Sequence, residues 1–304
     1  MQNDAPRPLS RPRPARMLWI TAVWGGCFVA IRWGLRDAPV LWFATLRSVV
    51  AGLVLLAIGV AQRRPHPVSK RSWSLIGLLA LSNSSVAFAA MFAGVDGLAT
   101  GTAAVLANAQ PLLILMPAWW LYGERVNGRT AVGMLLGFVG LLMVALPGGG
   151  GTGAWLSVFA AVAITGGTLL SRQLTGVDIV QATGWHFLVG GVVLAVVASG
   201  VEGLPAIRWT PRFLLVLAFL AVVGTALAFL AWFQEVQRSA LGPLAAWTFL
   251  TPLFGVAFGL VLTDERPGTW AAVGTAVVLL SLWTVVRAAR LPPEHQPRLE
   301  PSDG

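Results

Sequence analysis

Long apolar runs, each close to the length of a membrane-crossing helix and parted by a few polar, glycine or proline residues, fill the chain between Met17 and Val286. A helix needs roughly 20 apolar residues to cross a hydrocarbon core, and the period-2 alternation of a membrane β-barrel is missing. The pattern predicts spans at about Met17–Trp33, Pro39–Ala61, Trp73–Gly94, Thr100–Tyr122, Thr130–Leu146, Ala154–Ser171, Ile179–Gly200, Pro211–Phe233, Leu241–Leu262 and Trp270–Val286. The expected fold is therefore all-α: a polytopic membrane protein of ten transmembrane helices.

The pattern also repeats. Ala99 to Arg125, ATGTAAVLANAQPLLILMPAWWLYGER, aligns without a gap on Ala240 to Arg266, ALGPLAAWTFLTPLFGVAFGLVLTDER, at a shift of 141 residues. Elsewhere the same shift sets Gly25-Gly26 on Gly166-Gly167, Asp37 on Asp178, and Ala131-Val132-Gly133 on Ala272-Val273-Gly274. Self-similarity at one fixed shift marks two copies of one unit. The expected organisation is a disordered basic tail over 1–16, a first five-helix unit over 17–147, a second over 154–288, and a polar tail over 289–304. Five crossings per unit is an odd number, so the second unit enters the membrane from the side opposite the first. The repeats are then inverted, a plan that in secondary transporters puts a midplane site between halves that rock against each other.

Composition agrees with a membrane protein, since hydrophobic residues make up 56% and charged residues only 11%, against about 25% charged in soluble domains. The net charge of +9 reads as a topology signal rather than a nucleic-acid footprint. Alternating sides from the N-terminus assigns 15 Lys and Arg to the first side and 5 to the other, with Arg47 inside a span. Positive-inside then puts both termini in the cytoplasm of a bacterial plasma membrane. A single cysteine, Cys27, excludes disulfides and reads as a packing residue.

Several segments carry a resemblance: Val23-Trp24-Gly25-Gly26 with Phe28-Val29-Ala30, Leu46-Arg47 followed by Ala51-Gly52, the small residues before Gln110-Pro111, and the Gly123-Glu124-Arg125 ending. As an ordered set they are similar to the EamA-like family of the drug/metabolite transporter superfamily. The resemblance implies two inverted five-helix bundles, a central cavity, and export or uptake of small metabolites, amino acids or drugs. The second copy has Thr165 for Trp24, Leu188 for Arg47 and Thr251 for Gln110, so the cavity is expected to be chemically lopsided.

Arg47 lies about eight residues into its span, roughly 12 Å deep at 1.5 Å per residue. A charge there costs at least about 2.5 kcal/mol unless protein, water or a partner meets it. It either bonds helix-end carbonyls or binds a substrate carboxylate. His186 sits two positions from the register mate of Arg47 and is expected to flank the same cavity. Asn83, Asn108, Gln110, Thr248 and Thr251 are polar groups in apolar spans, which bond between helices or line water. Pro111 and Pro252 each free a carbonyl one turn earlier, and so mark helix breaks or bends. Trp73, Trp209 and Trp270 read as interfacial anchors, whereas Trp24, Trp185 and Trp247 lie deeper, as a pocket for an apolar solute or as packing. Gly133-x-x-x-Gly137 and Gly255-x-x-x-Gly259 are packing faces within one chain, and Glu124-Arg125 and Glu265-Arg266 are boundary charges on opposite membrane faces.

The leading function is a secondary transporter of a small organic solute, acting in export. No P-loop, metal-ligand cluster, paired carboxylate or nucleophile-base set occurs, so no cofactor and no nucleic-acid partner is expected, and the competing class, a membrane-embedded enzyme, lacks its chemistry. A structural membrane protein would leave Arg47 and the inverted copies unexplained. Proton coupling has His186 or Glu235 as its carriers, the alternative being uncoupled movement; the sequence does not set the oligomeric state.

Overall fold

The computed structural model describes residues 10–98, 100–123, 128–145, 152–262 and 269–288. Glu124, Arg125, Glu265, Arg266, residues 1–9 and the tail from 289 lie outside the described residues. Every named element is helical, and among the described residues one β-bridge joins Ser10 to Ser239.

Helix α1 (Pro14–Gly34) starts with proline in its first turn, where the missing N–H is no loss. It begins ahead of the expected Met17, and residues from Ser10 onward are held rather than loose: the Ser10 N–H donates to the Arg238 carbonyl at 2.8 Å. Then come α2 (Val40–Ala61) and a long helix built from α3 (Lys70–Leu79), a π-helical segment π1 (Ala80–Val86) and α4 (Ala87–Gly97). The Ser69 hydroxyl caps α3 by accepting from the Ser72 N–H. The following run is broken into α5 (Thr100–Ala107), α6 (Gln110–Leu113) and α7 (Leu115–Tyr122), ended by Gly123 at φ +62°, and α8 (Gly128–Ala145) closes the first half. The second half has α9 (Thr152–Arg172), α10 (Ile179–Val201), α11 (Pro211–Ala218), a second π-helical segment π2 (Phe219–Leu227), α12 (Ala228–Arg238), α13 (Leu241–Trp247), α14 (Leu250–Leu262) and α15 (Thr269–Ala288). The sequence shift of 141 reappears here: it carries Lys70 to Pro211, Gly97 to Arg238 and Gly128 to Thr269, the ends of matching elements.

Among the described residues, seven helical stretches are long and apolar enough to cross a membrane: Pro14–Gly34, Val40–Ala61, Lys70–Gly97, Thr152–Arg172, Ile179–Val201, Pro211–Arg238 and Leu241–Leu262. The chain is thus an all-helical, multi-pass membrane protein.

Glycines set the closest approaches. A Cβ on Gly52 of α2 would lie 2.6 Å from the Leu188 backbone nitrogen of α10; one on Gly184 would meet Leu56, one on Gly191 Val49, and one on Gly59 Gln181. As the α2 number rises from 49 to 59 the α10 number falls from 191 to 181, so these two register mates cross antiparallel. Helices α8 and α15 do the same: Gly137 faces Ser281, and Gly140, the mate of Ser281, faces Val278, the mate of Gly137. Both halves of the Gly133-x-x-x-Gly137 motif face α15, so it packs within the chain as expected.

The connections are clasped across the halves as well. Asp37, between α1 and α2, takes Arg212 at 2.5 Å and Arg208 at 3.3 Å from before and within α11. Its mate Asp178 caps α10 and pairs with Arg64 at 3.0 Å. The Arg212 guanidinium bonded to Asp37, helped by Thr210 and Arg208, holds its carboxyl below the usual carboxylate range in spite of burial.

Two outcomes follow from this packing. Gly52→Leu must push α2 and α10 apart and loses roughly 1–3 kcal/mol or more, read as a lower midpoint of thermal unfolding in detergent. Gly77→Ala, with nothing within 4 Å of the new Cβ, keeps or raises the midpoint. Because the Asp37 carboxyl is held low, its stabilising contribution is whole above its ordinary value of about 3.9 and disappears as pH falls through the lowered folded value. A midpoint scan from pH 7 to pH 3 therefore shows Asp37→Asn less stable than wild type at neutral pH and flatter on the acid side; parallel curves would show that the clasp contributes nothing.

Candidate functional site

The π-helical segments supply the polar chemistry at the centre. In a π turn the hydroxyl of Thr225 reaches back five residues to the Leu220 carbonyl at 2.7 Å, as that of Ser85 does to Ala80 at 3.2 Å. The register thus shifts away from i−4 bonding, and wide turns of this kind gather at functional sites. Their neighbours differ. Ser85 also donates to the Gly190 carbonyl at 3.0 Å, whereas Thr225 and Gly224 receive Arg47.

Arg47 is buried, 2% exposed. Its Nε donates to the Thr225 hydroxyl at 2.7 Å and its Nη2 to the Gly224 carbonyl at 3.4 Å, with Cys27 Sγ at 3.9 Å. The guanidinium lies over Phe88, 4.5 Å from the ring centroid. Nη1 alone has no partner. Among the described residues no carboxylate pairs with this arginine; backbone, hydroxyl, sulfur and ring stand in for one, and they join a helix of the first copy to the π segment of the second.

Arg47 borders a cavity of about 50 Å³ lined also by Trp24, Cys27, Phe88, Asn108, Gln110 and Thr251, with further apolar side chains. Pockets for drug-sized ligands measure roughly 300–1,000 Å³, so the cavity as it stands is too small for one. Its polar wall comes from the two helix interruptions. The chain leaves helix at Asn108–Ala109 and at Thr248–Phe249, where Pro111 and Pro252 lack the N–H that would have bonded Ala107 and Thr248. Gln110 then donates to the Thr168 hydroxyl at 2.8 Å. The register mates of that pair are Thr251 and Cys27, both on the cavity and not bonded to each other; the Thr251 hydroxyl is buried without a partner. The lopsidedness expected from the sequence is located at this point.

The remaining candidates go elsewhere. Asn83 packs its side chain on Gly167 of α9. Trp185 meets Trp73 with centroids 5.2 Å apart, and Trp247 is a partly buried packing residue. His186 is fully buried between Phe187 and Phe233, with Nδ1 3.3 Å from the Ala182 carbonyl. None of these four lines the cavity with Arg47. Glu235, the other proton carrier considered, is buried in ion pairs with Arg16 and Arg238, both at 3.3 Å. Sequence reading missed Thr225 and Gly224, although Thr225 is a polar residue in the apolar run Phe219–Leu227 and invited the same scrutiny as Asn83.

The described residues thus form a multi-pass helical membrane protein with an arginine-anchored internal cavity between two similar halves. The profile of the EamA-like transporter family matches at residues 17–146 and 151–287, and the chain belongs to that family. It is 30% identical to a chloroplastic WAT1-related protein of Arabidopsis thaliana over 86% of this chain, spanning 66% of that protein's length. It is 28% identical to an uncharacterized transporter of Synechocystis over 88% of each. With a probable amino-acid metabolite efflux pump of Escherichia coli it shares 26% identity over 93% of this chain and 97% of that one. A solved crystal structure superposes with TM-score 0.76 at 19% identity, covering 92% of this chain and 99% of its own, a likeness of fold.

Proposed function

We propose that the chain is a secondary transporter that exports a small organic solute across a bacterial plasma membrane by alternating access. In this reading ten crossings form two inverted five-helix units with both termini cytoplasmic, and the solute occupies the cavity between the units. Arg47, Gln110 and Thr251 contact it, and the breaks before Pro111 and Pro252 act as hinges. The observation that carries the reading is Arg47, a buried cation lent by one copy to the other at the edge of that cavity. Antiparallel crossing of α2 with its mate α10, and of α8 with α15, supports the inversion.

The two mouths follow from the same register. At one end α4 meets α9 through small residues: Gly94 abuts Ser157, and Gly97 lies 3.5 Å from Gly153 when given a Cβ. The mate of the Gly94–Ser157 contact is Glu235–Arg16, an ion pair at 3.3 Å. One mouth is therefore closed by close packing of small residues, and the other by a charge pair that water can solvate when it opens. Opening the ion-paired mouth while the glycine seam stays shut gives an inward-facing state, and the exchange of the two gives the opposite.

In cells that express the chain, export of a metabolite exceeds that of cells lacking it, and purified protein in liposomes moves the same compound. Arg47→Ala lowers that transport at least ten-fold while folded protein is retained. Cys27, the sole cysteine, reports the cycle: Glu235→Gln raises its modification by a membrane-impermeant maleimide from the cytoplasmic side. Undiminished transport by Arg47→Ala, or Cys27 labelling indifferent to Glu235, contradicts the reading.

A further inference from the structure

The charge and hydrogen-bonding balance of the cavity narrows the class of solute, on the basis of the transporter reading above. Two residues of its wall, Arg47 and Trp24, each carry a buried nitrogen without a partner, Nη1 and Nε1. Both can only donate. The buried Thr251 hydroxyl is also unpartnered. Meanwhile the amide nitrogens of Asn108 and Gln110 each already donate one hydrogen, to the Ala104 carbonyl at 2.7 Å and the Thr168 hydroxyl at 2.8 Å. Among the described residues that line the cavity there is one cation and no carboxylate. Apart from Trp24, the rest of the wall is mostly apolar, with Phe28, Phe88, Met91, Ile164 and Phe229.

A buried donor without an acceptor carries the full penalty of its lost hydration, more so for a charged group. An acceptor-only anionic head placed between Arg47 and Trp24 removes that penalty twice and neutralises the guanidinium. An ammonium group in the same space meets the field of Arg47 and finds no carboxylate to neutralise it; the ring best placed for a cation, Phe88, is already under Arg47. We infer that the cavity selects a small organic monoanion, a carboxylate on an aromatic or branched apolar body, and discriminates against the same body bearing a free ammonium, including zwitterionic amino acids.

Three probes that share a phenyl body separate the terms: 3-phenylpropanoate, phenylalanine and phenethylamine, each titrated against the purified full-length chain and then assayed for movement into liposomes. The expected order is 3-phenylpropanoate at least ten-fold tighter than phenylalanine, with phenethylamine neither binding nor competing. Trp24→Phe keeps a ring against Phe229 and Trp232, which lie 5.3 Å and 5.4 Å from Trp24, but removes the donor, and weakens 3-phenylpropanoate about ten-fold with an unchanged unfolding midpoint. Equal or tighter binding of phenylalanine or phenethylamine overturns the inference, as does the absence of binding by all three or indifference to Trp24→Phe. Binding of 3-phenylpropanoate without movement leaves the assignment standing and contradicts the transporter reading instead.

Discussion

The crossing of α2 with α10 is the constraint on which the rest of the molecule depends. Gly52, Gly59, Gly184 and Gly191 let the two backbones approach until side chains of one helix rest on the main chain of the other. In a bilayer there is no gain from hiding apolar surface between helices, so close contact through small residues has to hold them. That contact also fixes the depth of what α2 carries. Ser48 donates to the Phe187 carbonyl at 2.8 Å, and one residue earlier Arg47 projects toward π2.

Arg47 is stable at this depth because the chain provides irregular backbone to meet it. The wide turn around Gly224 presents a carbonyl that a regular helix would have kept for itself. Gly224 has no side chain to block it: a Cβ there would stand 2.5 Å from Cys27 Sγ. The helix breaks at Asn108–Ala109 and Thr248–Phe249 provide the facing wall. Irregular backbone at membrane depth is tolerated where it is buried in protein or lines a cavity, and around Arg47 it is buried in protein beside one. The proposed function and the fold thus rest on the same few departures from regular helix.

Much of this was legible in the sequence, and the rest was hidden for definite reasons. Long apolar runs marked the helices, and the shift of 141 residues marked their mates, since both are properties of composition along the chain. Arg47 stood out because charge in an apolar run is expensive wherever it points. The π segments left no trace, because one extra residue in a turn does not interrupt the longer helical runs, Lys70–Gly97 and Pro211–Arg238, in which they sit. His186 was misjudged through depth. The α2–α10 contacts set Gly52 against Leu188 and Leu56 against Gly184, so His186 lies about 10 Å along the helix axis from the level of Arg47 at 1.5 Å per residue, and its ring packs on Phe187 and Phe233 instead. The N-terminal segment read as a loose tail because its arginines are polar; their partner Glu235 lies more than 200 residues away in sequence and only the fold brings it to Arg16.

Two copies inserted in opposite senses are the premise of the whole account, and side-specific labelling tests it most directly. In a Cys27→Ser background, single cysteines replace Arg129, at the start of α8, and its mate Trp270, at the start of α15. Reaction with an impermeant thiol reagent in intact cells and in inverted vesicles places Arg129→Cys in the cytoplasm and Trp270→Cys on the outer face. Labelling of both from the same compartment would contradict the account.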